Sequence, residues 1–385
     1  MKTIAWLDRA IQKKLATSAI GFGMLSASAF AQYSITELGG LGGVYPSSPA
    51  LVSEAYGINN SGQVVGYAFT TSGNKHAFLY SAGAMTDLGT LGGSSSQANG
   101  INNSGQVVGH AYLAGNASYH AFLYSGGGMA DLGTLSGGIN SDAYGVNRNG
   151  QVVGSSDQYA FQYSGGMMSY LTLGSGSWAS GVNDQGQIVG VYEVSGTESA
   201  FLYNGTVATY LGHLGGGQSA ATGINTNGQI SGWSYLPGGS IYHAFVYSGG
   251  RMSDLGSLGG NFSAANAIND NGQLVGYSLT TAFAKHAFLY SGGVMLDLNT
   301  VTPSNSGWTL TSAQAINDKG QIVGYGTNPL GQTDAFLLTP IPEPSSGVLL
   351  VIVGIVLSFR LFGQHDNVVS FTFAQKEMLA KDEVS

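Results

Sequence analysis

Short apolar runs separated by turn residues recur along the chain, and each cycle contains the phrase Asn-x-x-Gly-Gln-x-x-Gly. The phrase occurs seven times, and successive copies lie 36 to 48 residues apart. Its Gly-Gln pairs are Gly62-Gln63, Gly105-Gln106, Gly150-Gln151, Gly186-Gln187, Gly228-Gln229, Gly272-Gln273 and Gly320-Gln321. A period of this length is typical of propellers and solenoids, in which one supersecondary unit is repeated.

Each repeat is predicted to contain four strands. In the first repeat they are Ala55 to Asn59, Gln63 to Ala68, His76 to Ser81 and Met85 to Gly89. The segment between the first two strands, Asn59-Asn60-Ser61-Gly62, suits a hairpin turn, because Asn and Gly tolerate positive φ. The second and third strands carry consecutive apolar residues instead of an alternation, which indicates that both faces of each small sheet are buried.

The two ends of the repeat array are complementary. Residues 36–43 repeat the sequence of residues 86–93 almost letter for letter, so a last strand of the repeat stands alone at the start. The seventh repeat runs through Ala335-Phe336-Leu337-Leu338 to Pro340 and lacks that strand. We therefore predict an all-β, seven-bladed β-propeller of four-stranded blades over residues 32–340, closed by its N-terminal strand. An open β-solenoid is the alternative.

Composition and charge narrow the classes of function. The chain has 62 Gly, only 8% charged residues and no Cys, which excludes disulfides and thiolate chemistry. Four of its twelve basic residues fall within the first fourteen positions, so the rest of the chain is acidic. Nucleic acid is not expected as a partner, because phosphate contacts require clustered Lys and Arg.

The N-terminus has the pattern of a secretory signal peptide over residues 1–31. A basic start is followed by an apolar stretch and by the small residues of Ala29-Phe30-Ala31, which predicts cleavage between Ala31 and Gln32. A buried helix is the alternative. Export from the cytoplasm is therefore expected.

The C-terminus carries Pro342-Glu343-Pro344, an apolar run over 347–359 and then Arg360. This order resembles the PEP-CTERM sorting signal of Gram-negative bacteria, which implies an exosortase-type processing machinery and at least transient membrane anchoring by the helix within residues 341–363. A polar tail over 364–385 departs from the usual ending of that signal. A plain anchor or a buried strand is the alternative.

Four repeats carry the triplet His-Ala-Phe, at His76, His120, His243 and His286. Here the chain resembles the bacterial extracellular HAF repeats from Tyr33 to Pro340, a family that implies export and repetition but no established activity. Tyr159, Ser199 and Asp334 replace the His in the other three repeats. Because equivalent positions away from a propeller axis do not converge on one ion, we expect structural histidines, no metal and no cofactor.

Recognised catalytic motifs are absent from the sequence. Asp87, Asp131, Asp254 and Asp297 recur at one repeat position, which indicates strand ends. The acids Glu54, Asp142, Asp157, Glu193 and Glu198 are not repeated, but nothing in the sequence pairs them. We therefore expect a protein that is not an enzyme, with a glycan-cleaving enzyme using loop-face carboxylates as an alternative.

Loops of variable length indicate the binding face. The connections between the second and third strands, and between one repeat and the next, vary in length and share one end of the blades. Aromatic residues in or beside these loops are the candidate ligand-binding residues: Tyr45, Tyr119, Trp178, Tyr235, Tyr242, Phe262 and Trp308. They either stack on ligands or cover the ends of the core.

The sequence thus predicts an exported component of the extracellular space or cell surface of a Gram-negative bacterium. Its expected role is an interaction or matrix function, with surface polysaccharide or other surface proteins as partners. A lectin-like, carbohydrate-binding propeller is the alternative within the binding class.

Overall fold

The all-β prediction is confirmed in the computed structural model, which describes residues 32–44, 51–194 and 196–342. These residues form 28 strands and one short 3-10 helix, Leu298–Thr300. The strands are numbered β1 to β28 in chain order. The predicted signal peptide over 1–31 and the predicted sorting helix and tail after residue 342 lie outside the described residues.

Each of the first six repeats forms four consecutive antiparallel strands, as predicted, and the seventh forms three. The first strands are β2 Ser53–Ile58, β6 Gly92–Ile101, β10 Ser141–Val146, β14 Ser177–Val182, β18 Ser219–Ile224, β22 Gly259–Ile268 and β26 Thr309–Ile316. The second strands are β3 Val64–Phe69, β7 Val107–Leu113, β11 Val152–Ser156, β15 Ile188–Val194, β19 Ile230–Tyr235, β23 Leu274–Thr280 and β27 Ile322–Thr327. The third strands are β4 Lys75–Ser81, β8 Tyr119–Ser125, β12 Tyr159–Ser164, β16 Thr197–Tyr203, β20 Tyr242–Ser248, β24 Lys285–Ser291 and β28 Thr333–Pro340.

The fourth strand is short and exposed in most repeats. Six such strands follow the third strands in sequence: β5 Ala84–Asp87, β9 Gly128–Asp131, β13 Met167–Tyr170, β17 Ala208–Tyr210, β21 Arg251–Asp254 and β25 Val294–Asp297. In the last sheet β1, Tyr33–Glu37, pairs antiparallel with β28, as the sequence predicts for the N-terminal segment. A single parallel bridge between Tyr242 and Phe262 links the fifth and sixth sheets.

The core lies between neighbouring sheets and repeats from one sheet to the next. Each His-Ala-Phe triplet, or its variant, contributes one fully buried Phe: Phe78, Phe122, Phe161, Phe201, Phe245, Phe288 and Phe336. The Gly that ends the repeated phrase allows close strand approach, because a Cβ at Gly66 would lie 2.0 Å from the Glu54 carbonyl oxygen. All six residues of β3 are buried, which confirms the prediction that both faces of the second strand are covered.

The Asn of the repeated phrase organises the turn between the first two strands. Asn59 Oδ1 accepts hydrogen bonds from the backbone N–H groups of Ser61 and Gln63, both at 3.0 Å. Asn59 Nδ2 donates to Gln63 Oε1 at 2.8 Å, which explains why Gln follows Gly in the phrase. Gly62 completes the turn at φ +78°, in the left-handed region that favours glycine.

The same Asn also bonds to the next repeat. Its second Nδ2 hydrogen reaches the backbone carbonyl of the equivalent Asn one repeat onward, at 2.9 to 3.1 Å. The series runs from Asn59 through Asn102, Asn147, Asn183, Asn225 and Asn269 to Asn317, and Asn317 donates back to Asn59. All seven residues are buried. The sequence predicted turn chemistry for these residues and did not reveal the bonds between repeats.

We predict that Asn102→Ala destabilises the fold by about 1–3 kcal/mol, because it leaves buried backbone groups of its own turn and a carbonyl of the next repeat without partners. Ser104→Ala is the matched control in the same turn, since Ser104 is exposed. Urea denaturation followed by circular dichroism measures both variants. Equal stability of the two variants would contradict the structural role assigned to Asn102.

The last sheet replaces a His–Asp pair with two carboxyl groups. In the first repeat, His76 Nδ1 lies 2.8 Å from Asp87, the last residue of β5. Asp334 and Glu37 occupy the corresponding positions of β28 and β1, and their carboxyl groups share a hydrogen bond. Burial, the largest cause, and the neighbouring Glu37 together raise the pKa of Asp334 to about 6, against the opposing effect of hydrogen bonds donated by Ser53 and Ala335.

The raised pKa of Asp334 sets the sign of a pH dependence. Folded Asp334 retains its proton at pH values where the unfolded chain, with an ordinary pKa of 3.8, has released it. Its contribution to the free energy of unfolding is therefore complete below the unfolded value and is lost as pH rises through about 6. We therefore expect the free energy of unfolding to decline as pH rises from 3.8 to about 6.

Calorimetry of the wild type and of Asp334→Asn tests this. The variant should show a smaller decline in melting temperature between about pH 4 and pH 6. Asp334→His, which restores a His–carboxylate pair with Glu37, should raise the melting temperature near neutral pH. Identical pH profiles for the wild type and Asp334→Asn would show that this carboxyl pair has no influence on stability.

Candidate functional site

The first strands of the sheets surround a cavity of about 1310 Å³. This volume exceeds the roughly 300–1,000 Å³ of ordinary small-molecule pockets. Besides the first strands, the cavity is bordered by Tyr119, Asp157, Gln158 and Gly176, which lie in or beside the variable connections. The cavity therefore extends to the end of the sheets that carries the variable connections.

One strand position supplies a ring of unlike side chains to the cavity. It lies two residues before the Ile or Val that ends each first strand, and all seven of its residues line the cavity. They are Tyr56, Asn99, Tyr144, Ser180, Thr222, Asn266 and Gln314. The next residue along is Gly or Ala in every repeat, so the backbone is constant where the chemistry changes. This position was missed by reasoning on loops.

A second, smaller cavity of about 240 Å³ lies at the Asn-x-x-Gly turns. Aliphatic residues at the ends of the first strands line both cavities: Ile58, Ile101, Val146, Val182, Ile224 and Ile268. We call these aliphatic residues the apolar belt. A ligand with hydroxyl or charged groups would lose hydrogen bonds to water on passing it. The larger cavity is therefore best described as a funnel that is entered from the variable loops.

On one side of the funnel the polar side chains satisfy each other. Lys75 Nζ donates to Gln97 Oε1, Gln97 Nε2 to Asn99 Oδ1, and Asn99 Nδ2 to Asp142 Oδ1, each at 2.7 Å. Asp142 Oδ2 also lies 2.9 Å from Nδ1 of the half-buried His110. These contacts form one continuous network, so few of its groups are left to meet a ligand.

Glu54 extends this network with tyrosines. Tyr56 donates a 2.6 Å hydrogen bond to Glu54, and Lys75 Nζ lies 4.5 Å above the Tyr67 ring. Burial, with the neighbouring Glu54 carboxylate as the second cause, raises the pKa of both Tyr56 and Tyr67. Burial lowers the pKa of Lys75, which Glu54 and Asp142 oppose. The tyrosines therefore remain protonated and act as hydrogen-bond donors.

The other side of the funnel is formed by the third and fourth repeats, and polar side chains there are not paired with one another. Trp178 and Ser180 on β14 are half-buried, and Gln158 and Glu193 lie at the ends of neighbouring strands. Within the described part of the chain, the side chains of these four residues have no hydrogen-bond partner. Tyr144 of the third repeat completes this side of the lining, and Tyr119 of the second repeat lies beside the network, with its ring centroid 5.1 Å from that of His110.

Two acidic residues stand opposite each other at the edge of this side. Glu193 of β15 is the direct cross-strand partner of Glu198 of β16. Burial, with the charge of Glu193 as the smaller cause, raises the pKa of Glu198. Like charges placed directly across a strand pair are unfavourable, and neither residue forms a salt bridge in the described part of the chain. The funnel's described lining contains the carboxylates of Asp157 and Glu193 and no basic side chain.

The predicted ligand-binding residues fall into two groups. Tyr119 and Trp178 line the funnel. Tyr235 and Tyr242 lie outside its lining and pack around Trp233, with ring centroids 5.8 and 5.5 Å from it, and Phe262 stacks on Tyr242 at 4.7 Å. Trp308 packs edge-on against Phe336 of the core. Tyr45 lies outside the described residues.

Only a few residues of the predicted terminal signals are among the described residues. Gln32 accepts a 2.7 Å hydrogen bond from the N–H of Ile341, and Pro342 is exposed. Ala31, Glu343, Pro344 and Arg360 lie outside the described residues. In the described part, no helix has the length and apolar character needed to cross a membrane.

The four histidines of the triplets contact their own sheet. His76, His120, His243 and His286 each place Nδ1 2.6 to 2.9 Å from the Asp at the end of the fourth strand. The prediction that these Asp residues mark strand ends is confirmed, and the histidine contact lies within one sheet. No cluster of three potential metal ligands occurs in the described ranges.

No protein-family model matches the chain, and no curated protein matches it. Solved structures similar to it include the β-propeller domain of the Trilobed protease from Pyrococcus furiosus, at 10% identity and a TM-score of 0.47, covering 63% of this chain and 82% of that one. The extracellular domain of a putative hybrid two-component system from B. thetaiotaomicron shows 10% identity and a TM-score of 0.46, covering 82% of this chain and 40% of that one. A lectin from Aleuria aurantia shows 13% identity and a TM-score of 0.38, covering 66% of this chain and 98% of that one.

Proposed function

We propose that the chain is a seven-bladed β-propeller closed by its N-terminal strand. Two observations support this architecture. The hydrogen bonds of the seven buried Asn residues proceed from one repeat to the next and return to the first. The strand β1 supplies the fourth strand that the last repeat lacks, and Tyr33 of β1 is buried against residues of β28 and the 3-10 segment.

The closed propeller acts in our proposal as a non-enzymatic interaction protein, exported and held at the surface or in the extracellular matrix of a Gram-negative bacterium. The observation that carries the interaction role is the funnel. Strand positions that build the scaffold are nearly uniform, whereas the position that faces the funnel carries five residue types in the seven repeats. Variation confined to one concave surface of a rigid scaffold is typical of recognition sites.

Export and sorting rest on the terminal patterns. The PEP-CTERM-like segment would pass the chain to an exosortase-type machinery after transient membrane anchoring. Surface polysaccharide and other surface proteins are the partners that fit an exported propeller with an open funnel. The acidic body of the chain disfavours nucleic acid.

Glycan cleavage is a second candidate, favoured by one observation. The opposed Glu193 and Glu198, with the raised pKa of Glu198, form the kind of unequal carboxyl pair that glycoside hydrolysis uses. Release of shorter saccharides from surface polysaccharide by the full chain, abolished in Glu198→Gln, would replace the binding role with this activity.

The proposed closure predicts a strong dependence on the N-terminal strand. Tyr33→Ala should lower the stability by about 3–5 kcal/mol, as for other buried aromatic residues, because it removes the ring that packs against the last sheet. Thr36→Ala on the exposed side of the same strand is the control. Deletion of residues 32–43 should increase the hydrodynamic radius in size-exclusion chromatography, since β28 would then be an open edge. An unchanged radius and melting temperature after that deletion would refute closure.

The proposed location predicts a defined mature protein. In the source bacterium, N-terminal sequencing of the exported chain should begin at Gln32, and surface proteolysis of intact cells should remove the protein. Glu343→Ala should leave more chain in the membrane fraction than the control Glu193→Ala, because only the former alters the sorting motif. Recovery of the chain from the cytoplasm with Met1 intact would contradict export.

A further inference from the structure

The two sides of the funnel differ in how completely their polar groups are paired. The side of the first two repeats carries the hydrogen-bond network that joins Lys75, Gln97, Asn99 and Asp142. On the side of Trp178, four polar side chains lack partners in the described chain. A ligand gains most by contacting groups that are unpaired within the protein, because it then displaces only water from them.

The unpaired groups have a mixed hydrogen-bonding character. The Trp178 indole N–H only donates, the Glu193 carboxylate only accepts, and the Ser180 hydroxyl and the Gln158 amide do both. A ligand that matches this set must itself offer both donors and acceptors at short spacing. Sugar hydroxyl groups meet this requirement, since each one donates and accepts.

The aromatic lining adds a second requirement. Trp178 is half-buried and, with Tyr119 and Tyr144, presents aromatic surface within the same cavity. Burial is the main cause that raises the pKa of Tyr144, to about 12, so that its hydroxyl stays protonated. An aromatic ring with a polar tip favours a ligand that has an apolar face and a hydroxylated edge, as a pyranose ring has.

The charge of the lining limits the kind of saccharide. Asp157 and Glu193 are the charged residues of the described lining. Asp157 accepts hydrogen bonds from the N–H groups of Ile139 and Asn140, so its charge is held in place. An anionic saccharide would meet these carboxylates without any basic side chain to offset them.

We propose that the Trp178 side of the funnel binds the end of a neutral or amine-bearing oligosaccharide, with one pyranose stacked on Trp178. Ser180, Gln158 and Glu193 bond its hydroxyl or amino groups, and the apolar belt below limits how far the chain enters. This inference rests on the proposed interaction function and names its ligand class.

Isothermal titration calorimetry of the full chain tests the proposal with three probes: neutral hexose oligosaccharides, chitosan oligosaccharides and oligogalacturonate. We expect binding of a neutral or chitosan oligosaccharide and no binding of oligogalacturonate. Trp178→Ala should weaken that binding at least about tenfold, as for other aromatic anchors. Trp178→Phe should retain part of it, because a ring remains for stacking. Trp233→Ala is the matched control, since Trp233 lies outside the lining, and it should bind as the wild type does.

Melting temperatures of all variants establish that they are folded, and Ser180→Ala, a smaller change at the same site, provides a second variant that should weaken binding. Binding of oligogalacturonate alone, or equal binding by the wild type, Trp178→Ala and Ser180→Ala, would overturn the proposal. Absence of binding to every probe would overturn the ligand class, while surface location and closure, which are measured separately, would still support the interaction function.

Discussion

The fold depends on one buried Asn in each repeat. This side chain uses its oxygen to hold the turn between the first two strands and its nitrogen to bond both the following Gln and the next repeat. A single residue therefore satisfies local backbone groups and fixes the spacing between neighbouring sheets. Because these hydrogen bonds are buried, water does not replace them when the Asn side chain is removed. The sequence of the repeated phrase therefore has little freedom to vary.

This constraint also explains where the chain is free to differ. The Gly that follows the variable strand position packs against the next first strand, so the position itself must face the cavity. Asn99, Thr222 and Asn266 at this position also donate to a backbone carbonyl of the next first strand. Large and small residues such as Tyr144 and Ser180 are both accommodated. The chemistry of the funnel can therefore be set residue by residue without altering the scaffold.

Much of the scaffold could be predicted from the sequence, because the all-β class, the four-stranded repeats and the pairing of β1 with β28 follow from periodicity and from a missing strand. The candidate site was less accessible. Its key position lies on one of the two alternating faces of the first strand. The sequence alone does not show which of these faces points into the funnel. Of the loop aromatics proposed from the sequence as ligand-binding residues, Tyr119 and Trp178 line the funnel. Trp308 packs against the core instead, since a bulky residue after a loop packs inward as readily as outward. The His–Asp pairs were missed because eleven residues separate the partners, although their common repetition was a usable signal.

The residues that replace the His–Asp pair differ from one sheet to another. In the third sheet Tyr159 and Tyr170 take the two positions, with ring centroids 5.5 Å apart, and in the fourth Tyr210 stacks on Tyr192. Tyr159, Tyr170 and Tyr210 are 39%, 45% and 53% exposed. The same two repeats, the third and the fourth, carry these rings and the unpaired groups of the funnel. Exposed aromatic clusters reduce solubility unless they contact a partner. The third and fourth repeats thus combine exposed aromatic rings with unpaired polar groups, the two features that the proposed saccharide ligand requires.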